Sequence, residues 1–158
     1  MRKRFKKRLD LQELKDFLAT QSPETKIYIG CDSIRFKKNG VFWADYALVV
    51  VVHMDGKHGC RIFGEVTTER DYDKRGSCRM RMFTEASKAC ELFQLIKPLI
   101  AKREIEVHLD INRDPKFLSN ESFQQAVGYV QAMCGLLPKT KPDAWAASYA
   151  ADRIAHYH

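Results

Sequence analysis

Four acidic residues carry the chemistry that can be read from this chain: Asp32, Glu85, Asp110 and Asp152. Asp32 closes Ile27-Tyr28-Ile29-Gly30-Cys31-Asp32-Ser33, a strand pattern of β-branched, aromatic and small residues that stops on a carboxylate. Ile27, Ile29 and Cys31 fall on one face, and Tyr28, Gly30 and Asp32 on the other. Apolar residues on both faces mark a central strand covered on both sides, where an Asp is costly unless paired or bound to a cation. Gly30 leaves open space beside it. Asp-Ser also starts turns at strand ends, so this stretch alone fits a turn as well as a site. Glu85 sits about 80° from the centre of an apolar helical stripe of Met82, Ala86, Ala89 and Phe93. It either bends out to water or serves a site, since local inconsistencies gather at functional positions.

Asp110 lies on the polar face of Glu104–Asn112, where Ile105, Val107, Leu109 and Ile111 alternate with Glu106, His108, Asp110 and Asn112. Asp152 borders a small-residue stripe (Ala144, Ala147, Ala151, Ile154, Ala155) expected to bring the last helix against the sheet, with Ala146, Ala150 and Arg153 facing water. Asp143, nine residues earlier and on the opposite side of the helix, is expected to cap its first turn. Carboxylates from two neighbouring strands and two flanking helices would repel one another. Divalent cations remove that repulsion, and oxygen-only ligands favour Mg²⁺ or Mn²⁺ over zinc. Two such ions, about 3.5–4 Å apart, stabilise the attacking and leaving oxygens of an in-line phosphoryl displacement.

The elements that must position these acids follow in order. A short helix pattern over residues 9–20 places Leu11, Leu14, Phe17 and Leu18 on one side. Strands are expected from Lys26 to Phe36, from Val41 to Met54 and from Cys60 to Thr68, joined by turns at Asn39-Gly40 and Asp55-Gly56. After a charged loop, Ser77 is expected to cap a helix running to Lys97, ended by Pro98. The strand of Asp110, a helix from Ser119-Asn120 to Gly135, a fifth strand over Leu136–Lys141 and a helix from Pro142-Asp143 complete the chain. Pro138 confines the fifth strand to a sheet edge. The result is an α/β chain with a mixed five-stranded sheet in the order 3-2-1-4-5, flanked by helices. Residues 1–22 form a basic tail and short helix, and residues 23–158 a single domain. Asp32 and Asp110 then end adjacent parallel strands.

At 158 residues, 45% hydrophobic and 30% charged, the chain can bury an ordinary soluble core. It has no apolar run of membrane-spanning length, and neither a secretory nor a mitochondrial leader pattern. Five cysteines without a Cys-x-x-Cys pair argue against zinc and disulfide frameworks and fit buried thiols in a reducing cytoplasm. Of the net charge of +7, six units come from Arg2, Lys3, Arg4, Lys6, Lys7 and Arg8; the remainder holds 21 basic against 20 acidic residues. Such a tail either grips nucleic-acid phosphates by counterion release or is simply solvated. Arg70, Lys74, Arg75, Arg79 and Arg81 surround the entry to the helix of Glu85. With Glu69, Asp71 and Asp73 that loop nets +2, enough to hold a phosphate or merely to be hydrated. His108 shares a face with Asp110 and fits either a core histidine or a hydrogen bond in the site. Trp145 and Tyr149 fit either packing on the sheet or stacking on bases.

Gly30-Cys31-Asp32-Ser33, Thr84-Glu85-Ala86, His108-Leu109-Asp110-Ile111-Asn112, Lys141-Pro142-Asp143-Ala144-Trp145-Ala146-Ala147-Ser148 and Ala151-Asp152-Arg153 resemble the RNase H-like YkuK family. The resemblance spans residues 25–156 and leaves out the basic tail. It implies an RNase H-like fold whose acids come in the order first strand, first helix, fourth strand and C-terminal helix. Asp32, Glu85, Asp110 and Asp152 match that order. On the resemblance, Asp32 bridges two Mg²⁺ or Mn²⁺ ions, Glu85 and Asp110 each complete one, and Asp152 holds the second. The function implied is a nuclease cleaving phosphodiesters in DNA or RNA, with Arg75, Arg79 and the tail on the nucleic acid. A catalytically silent nucleic-acid-binding or protein-interaction module is the alternative, and a hydrolase of small phosphate esters a third reading.

Overall fold

The computed structural model describes residues 8–54, 59–111 and 120–157, the last five as backbone. Asn39 and Gly40 take φ values of 52° and 78°, the left-handed pair that a tight I′ turn requires. They fold β1 (Lys26–Lys38) onto β2 (Val41–His53), antiparallel from Lys38↔Val41 to Lys26↔His53. β3 (Cys60–Arg70) pairs antiparallel with β2; the turn expected at Asp55-Gly56 lies outside the described residues. β4 (Ile105–Leu109) runs parallel to β1 on its other side, so the sheet order is β3-β2-β1-β4.

The sheet has four strands, where five were expected. The segment expected as the fifth does follow β4 in parallel at the sheet edge, but as one isolated bridge, His108↔Lys139. Its ladder consists of Lys139 N–H to Val107 O (2.8 Å), Leu109 N–H to Lys139 O (3.0 Å) and Lys141 N–H to Ile111 O (3.0 Å). Pro138 has no N–H to give, and the chain turns at Lys141-Pro142, so the pairing is too short to count as a strand.

α1 (Leu11–Ala19), α2 (Arg79–Ile96) and α3 (Asn120–Cys134) share one core with the Ile27, Ile29 and Cys31 face of β1. Asp10 caps α1, its Oδ1 accepting from Gln12 N–H and Glu13 N–H. Arg103 ties the end of α1 to the approach of β4 by donating to the carbonyls of Leu18, Gln21 and Ser22. α2 opens after Cys78 rather than Ser77. Ser77 Oγ does accept from Arg79 N–H at 3.3 Å, but the stronger cap comes from the loop. Asp73 accepts from Met80 N–H at 2.7 Å and Arg81 N–H at 3.0 Å, a carboxylate at the positive end of the helix dipole.

α4 (Trp145–Tyr157) covers the opposite face of the sheet alone among the described helices. Its orientation departs from the sequence expectation. Ala146 and Ala150, expected in water, are wholly buried against Ala47, Val49 and Val51, and Ala151 is only half-buried. Nor is the space beside Gly30 open: a Cβ there would collide with the backbone carbonyl of Ala146. The tight approach of Ala146 to Gly30 goes with a buried face at Ala146, Ala147 and Ala150, and Asp152 is exposed.

Candidate active site

Parallel pairing of β1 with β4 ends at Cys31↔Leu109. The next residues, Asp32 and Asp110, therefore stand level, as expected, but Asp32 lies in the middle of β1, which runs on to Lys38, and only Asp110 follows the end of its strand. Both are partly buried, and the two carboxyl groups act directly on each other. Burial, followed by the charge of Asp110, pushes the Asp32 carboxyl up to about 8. Asp32 Oδ1 also accepts from Ser33 N–H at 2.8 Å, which favours the charged form but does not offset burial.

Glu85 reaches this point from α2. It is 5% exposed, and burial, then Asp32 and Asp110, hold its carboxyl well above the usual range. One oxygen, Oε2, accepts from Ser33 Oγ at 3.2 Å. The other, Oε1, is buried with no hydrogen-bond partner. Ser33 is thus a positioning residue that the sequence offered only as part of a turn. Asp110 Oδ1 lies 3.0 Å from Lys141 Nζ.

The fourth acid singled out in the sequence is Asp152. It is exposed on α4, and after Cys60 and burial its charge also raises the Tyr149 hydroxyl. Asp45, passed over in the sequence, is wholly buried on β2. It pairs with Ile34, two residues beyond Asp32 on the same sheet face, and accepts from the Thr68 hydroxyl. Its signal was a carboxylate in step with Ala47, Val49 and Val51.

His108 proves to be a helix anchor. Its Nδ1 accepts from Ala146 N–H at 3.0 Å and its Nε2 lies 3.4 Å from Glu106 Oε2. This caps α4 from β4, the task expected of Asp143, which is exposed in the turn before the helix. His108 lies beneath Trp145, with ring centroids 5.2 Å apart, and Trp145 packs on Tyr28 at 4.4 Å. Trp145 keeps 40% of its surface exposed, so packing takes one side of the ring and leaves the other to solvent.

The loop before α2 is more organised than a hydrated charge run. Asp71 and Asp73 are buried; Arg35 pairs with Asp71 at 2.8 Å, and Arg81 lies 3.5 Å from Asp71 and 3.7 Å from Asp73. Arg35 and Arg81 are thereby committed to the fold. Arg75 and Arg79 remain exposed. Arg79 lines a groove of about 640 Å³ along α2 with Phe83, Thr84, Lys88 and Glu91. Arg8 is exposed ahead of α1, while Arg2, Lys3, Arg4, Lys6 and Lys7 lie outside the described residues.

Whether the acids suit a cation can be judged from their donors. Asp32, Glu85 and Asp110 offer only carboxylate oxygens, which suit a hard divalent ion, and the orphaned Glu85 Oε1 is a buried acceptor awaiting a positive partner. Among the described residues no three His, Cys, Asp or Glu side chains converge closely enough to hold an ion as they stand. Asp110 leans on Lys141 and Glu85 on Ser33. The donor set fits a hard divalent ion.

The family described as Ribonuclease H-like matches residues 11–156. No curated protein matches the chain. Among solved structures, a chain of the simian T-cell lymphotropic virus intasome in complex with PP2A regulatory subunit B56 gamma matches with 17% identity and a TM-score of 0.39. That match covers 86% of this chain and 39% of the other, so this chain spans well under half the length of that neighbour. Among the described residues no helix is long and apolar enough to cross a membrane.

Proposed function

The chain belongs to the Ribonuclease H-like family, and from that premise we propose that it is a Mg²⁺- or Mn²⁺-dependent nuclease that hydrolyses phosphodiester bonds in DNA or RNA. The observation that carries this reading is Glu85: a buried carboxyl group with one oxygen unpartnered, raised by Asp32 and Asp110, with the Asp32 carboxyl itself pushed up to about 8 by burial and then Asp110. Such a group either keeps its proton or takes up a positive partner. A bound pair of divalent ions would neutralise the acids, lower the pKa of a water and stabilise both reacting oxygens.

The chain's own residues supply the rest. Asp32 acts on Glu85 more strongly than Asp110 does and is itself raised by Asp110, which supports it as the shared ligand. Ser33 holds Glu85 in place through Oε2. His108 and Gly30 fix the first turn of α4 against the strands that bear the acids. Asp152 is kept as a fourth ligand on chain order alone, and Arg75, Arg79 and the basic tail as contacts to phosphates.

One observation favours the alternative of a silent binding module: Lys141 already neutralises Asp110 without any metal. Cleavage of labelled DNA, RNA, hybrid and branched substrates, with Mn²⁺ present and absent, separates the two. Mn²⁺-dependent cleavage that Asp110→Asn abolishes is expected. Binding without cleavage on every substrate would establish the silent module instead.

A further inference from the structure

Lys141 stands where a cation would. Its backbone N–H is held by Ile111 O at 3.0 Å, and two residues earlier Lys139 is bonded on both sides to β4. The main chain is therefore pinned alongside Asp110, and only the side chain is free to move. That side chain is 50% exposed, with Nζ 3.0 Å from Asp110 Oδ1. Its charge also reaches Asp32, where it opposes the effects of burial and Asp110. The same ammonium thus compensates two members of the acid trio, while Glu85 Oε1 stays unpartnered.

We propose that Lys141 is the resident counter-ion of the acid cluster, competing with the divalent cation for Asp110 and leaving it when the cation binds. This inference rests on the reading of the trio as a cation site. The physical grounds are two. Asp110 cannot donate the same lone pairs to an ammonium and to a metal at once, and an ammonium held near a divalent ion is repelled by it. A flexible, half-exposed four-carbon arm can leave by rotation alone. Once released, it stays tethered next to the acids, where an incoming phosphate would meet it.

The test is Mn²⁺ affinity of the full chain, measured by calorimetric titration and by the shift of the thermal midpoint. Asp32→Asn defines which binding belongs to the acid trio. Lys141→Gln should bind Mn²⁺ about fivefold tighter than the wild type, since removing an exposed competitor of about 1 kcal/mol changes Kd by that factor. Lys141→Arg, which keeps the charge, should stay near the wild-type value. Asp32-dependent binding that is equal or weaker in Lys141→Gln overturns the inference and leaves the nuclease reading standing. No Asp32-dependent binding in either the wild type or Lys141→Gln removes both. A lysine that merely staples the loop would move the metal-free midpoint and not the Mn²⁺ affinity.

Discussion

The carbonyl of Ala146 occupies the place where a Cβ on residue 30 would stand. Backbone meets backbone there, so neither side can yield by changing a rotamer. Gly30→Ala should therefore push α4 off β1 and destabilise the fold by about 1–3 kcal/mol, the usual cost of overpacking. For a domain of this size that lowers the thermal midpoint by about 2–4 °C per kcal/mol. A thermal melt unchanged from the wild type would show that the helix does not sit so close.

Asp32 makes stability depend on pH in a defined direction. Its carboxyl is raised from 3.8 to about 8, so the folded state binds the proton more tightly than the unfolded state. The associated stability is fully present below about pH 4 and is lost as pH rises through about 8. Urea unfolding of the metal-free protein at intervals from pH 5 to 8 should show that loss, and Asp32→Asn should flatten it. Saturating Mn²⁺ should offset it, by about 2.7 kcal/mol at a hundredfold excess over Kd. Parallel pH profiles for the wild type and Asp32→Asn would remove Asp32 as the cause.

How much of this was legible beforehand depended on whether a signal was local. The Asn39-Gly40 turn and the two faces of β1 follow from periodicity and turn chemistry. The orientation of α4 does not. Ala144, Ala146, Ala147, Ala150 and Ala151 fall within about half of the helix circumference, and alanine gives no hydrophobic gradient to say which part of that arc is buried. What selects the buried side is Gly30, more than a hundred residues away in sequence. The caps of α2 and α4 are missed for the same reason, since Asp73 and His108 reach them through space. In the acid trio, chain order marked the residues, whereas Ser33 and Lys141 became partners only through folding.

His108 opposes Asp32 in its pH signature. Burial lowers its pKa from the ordinary 6.5, and it is the neutral ring that accepts Ala146 N–H. Its contribution is present above about pH 6.5 and is lost as pH falls through the lowered value. His108→Phe should fill the space yet leave a buried N–H unpaired, costing about 1–3 kcal/mol, and should remove this acid-side loss. Chemical denaturation of both proteins at pH 5 and 7 measures the difference. Equal stabilities at both values would show that the cap contributes nothing.

The basic tail invites a salt experiment. Removing residues 1–8 takes away six of the seven net charges. If they meet phosphates, the slope of log affinity against log salt should flatten by about 0.9 per lost contact on duplex DNA, or about 0.7 on single strands. Mn²⁺-dependent cleavage of short substrates at low salt should survive. Identical slopes with and without the tail would make it a passive terminus.

Asp143 and Asp152 flank the beginning and the outer side of α4, and the two should separate stability from turnover. Asp143 is exposed in the turn, and the N–H of Ala146 is already taken by His108, so little capping is left for it. Asp143→Ala should then change stability by no more than about 0.5 kcal/mol, as at most surface positions, and keep cleavage. Asp152 is exposed as well, so Asp152→Asn should also fold normally. As the proposed fourth ligand its loss should lower cleavage, yet Mn²⁺ should still raise the thermal midpoint, because Asp32, Glu85 and Asp110 remain. Asp32→Asn should lose both responses. Cleavage rates and thermal midpoints with and without Mn²⁺, measured side by side for the three variants, decide the matter. An Asp152→Asn protein that cleaves at the wild-type rate would limit the ligand set to the three acids that the strands and α2 bring together.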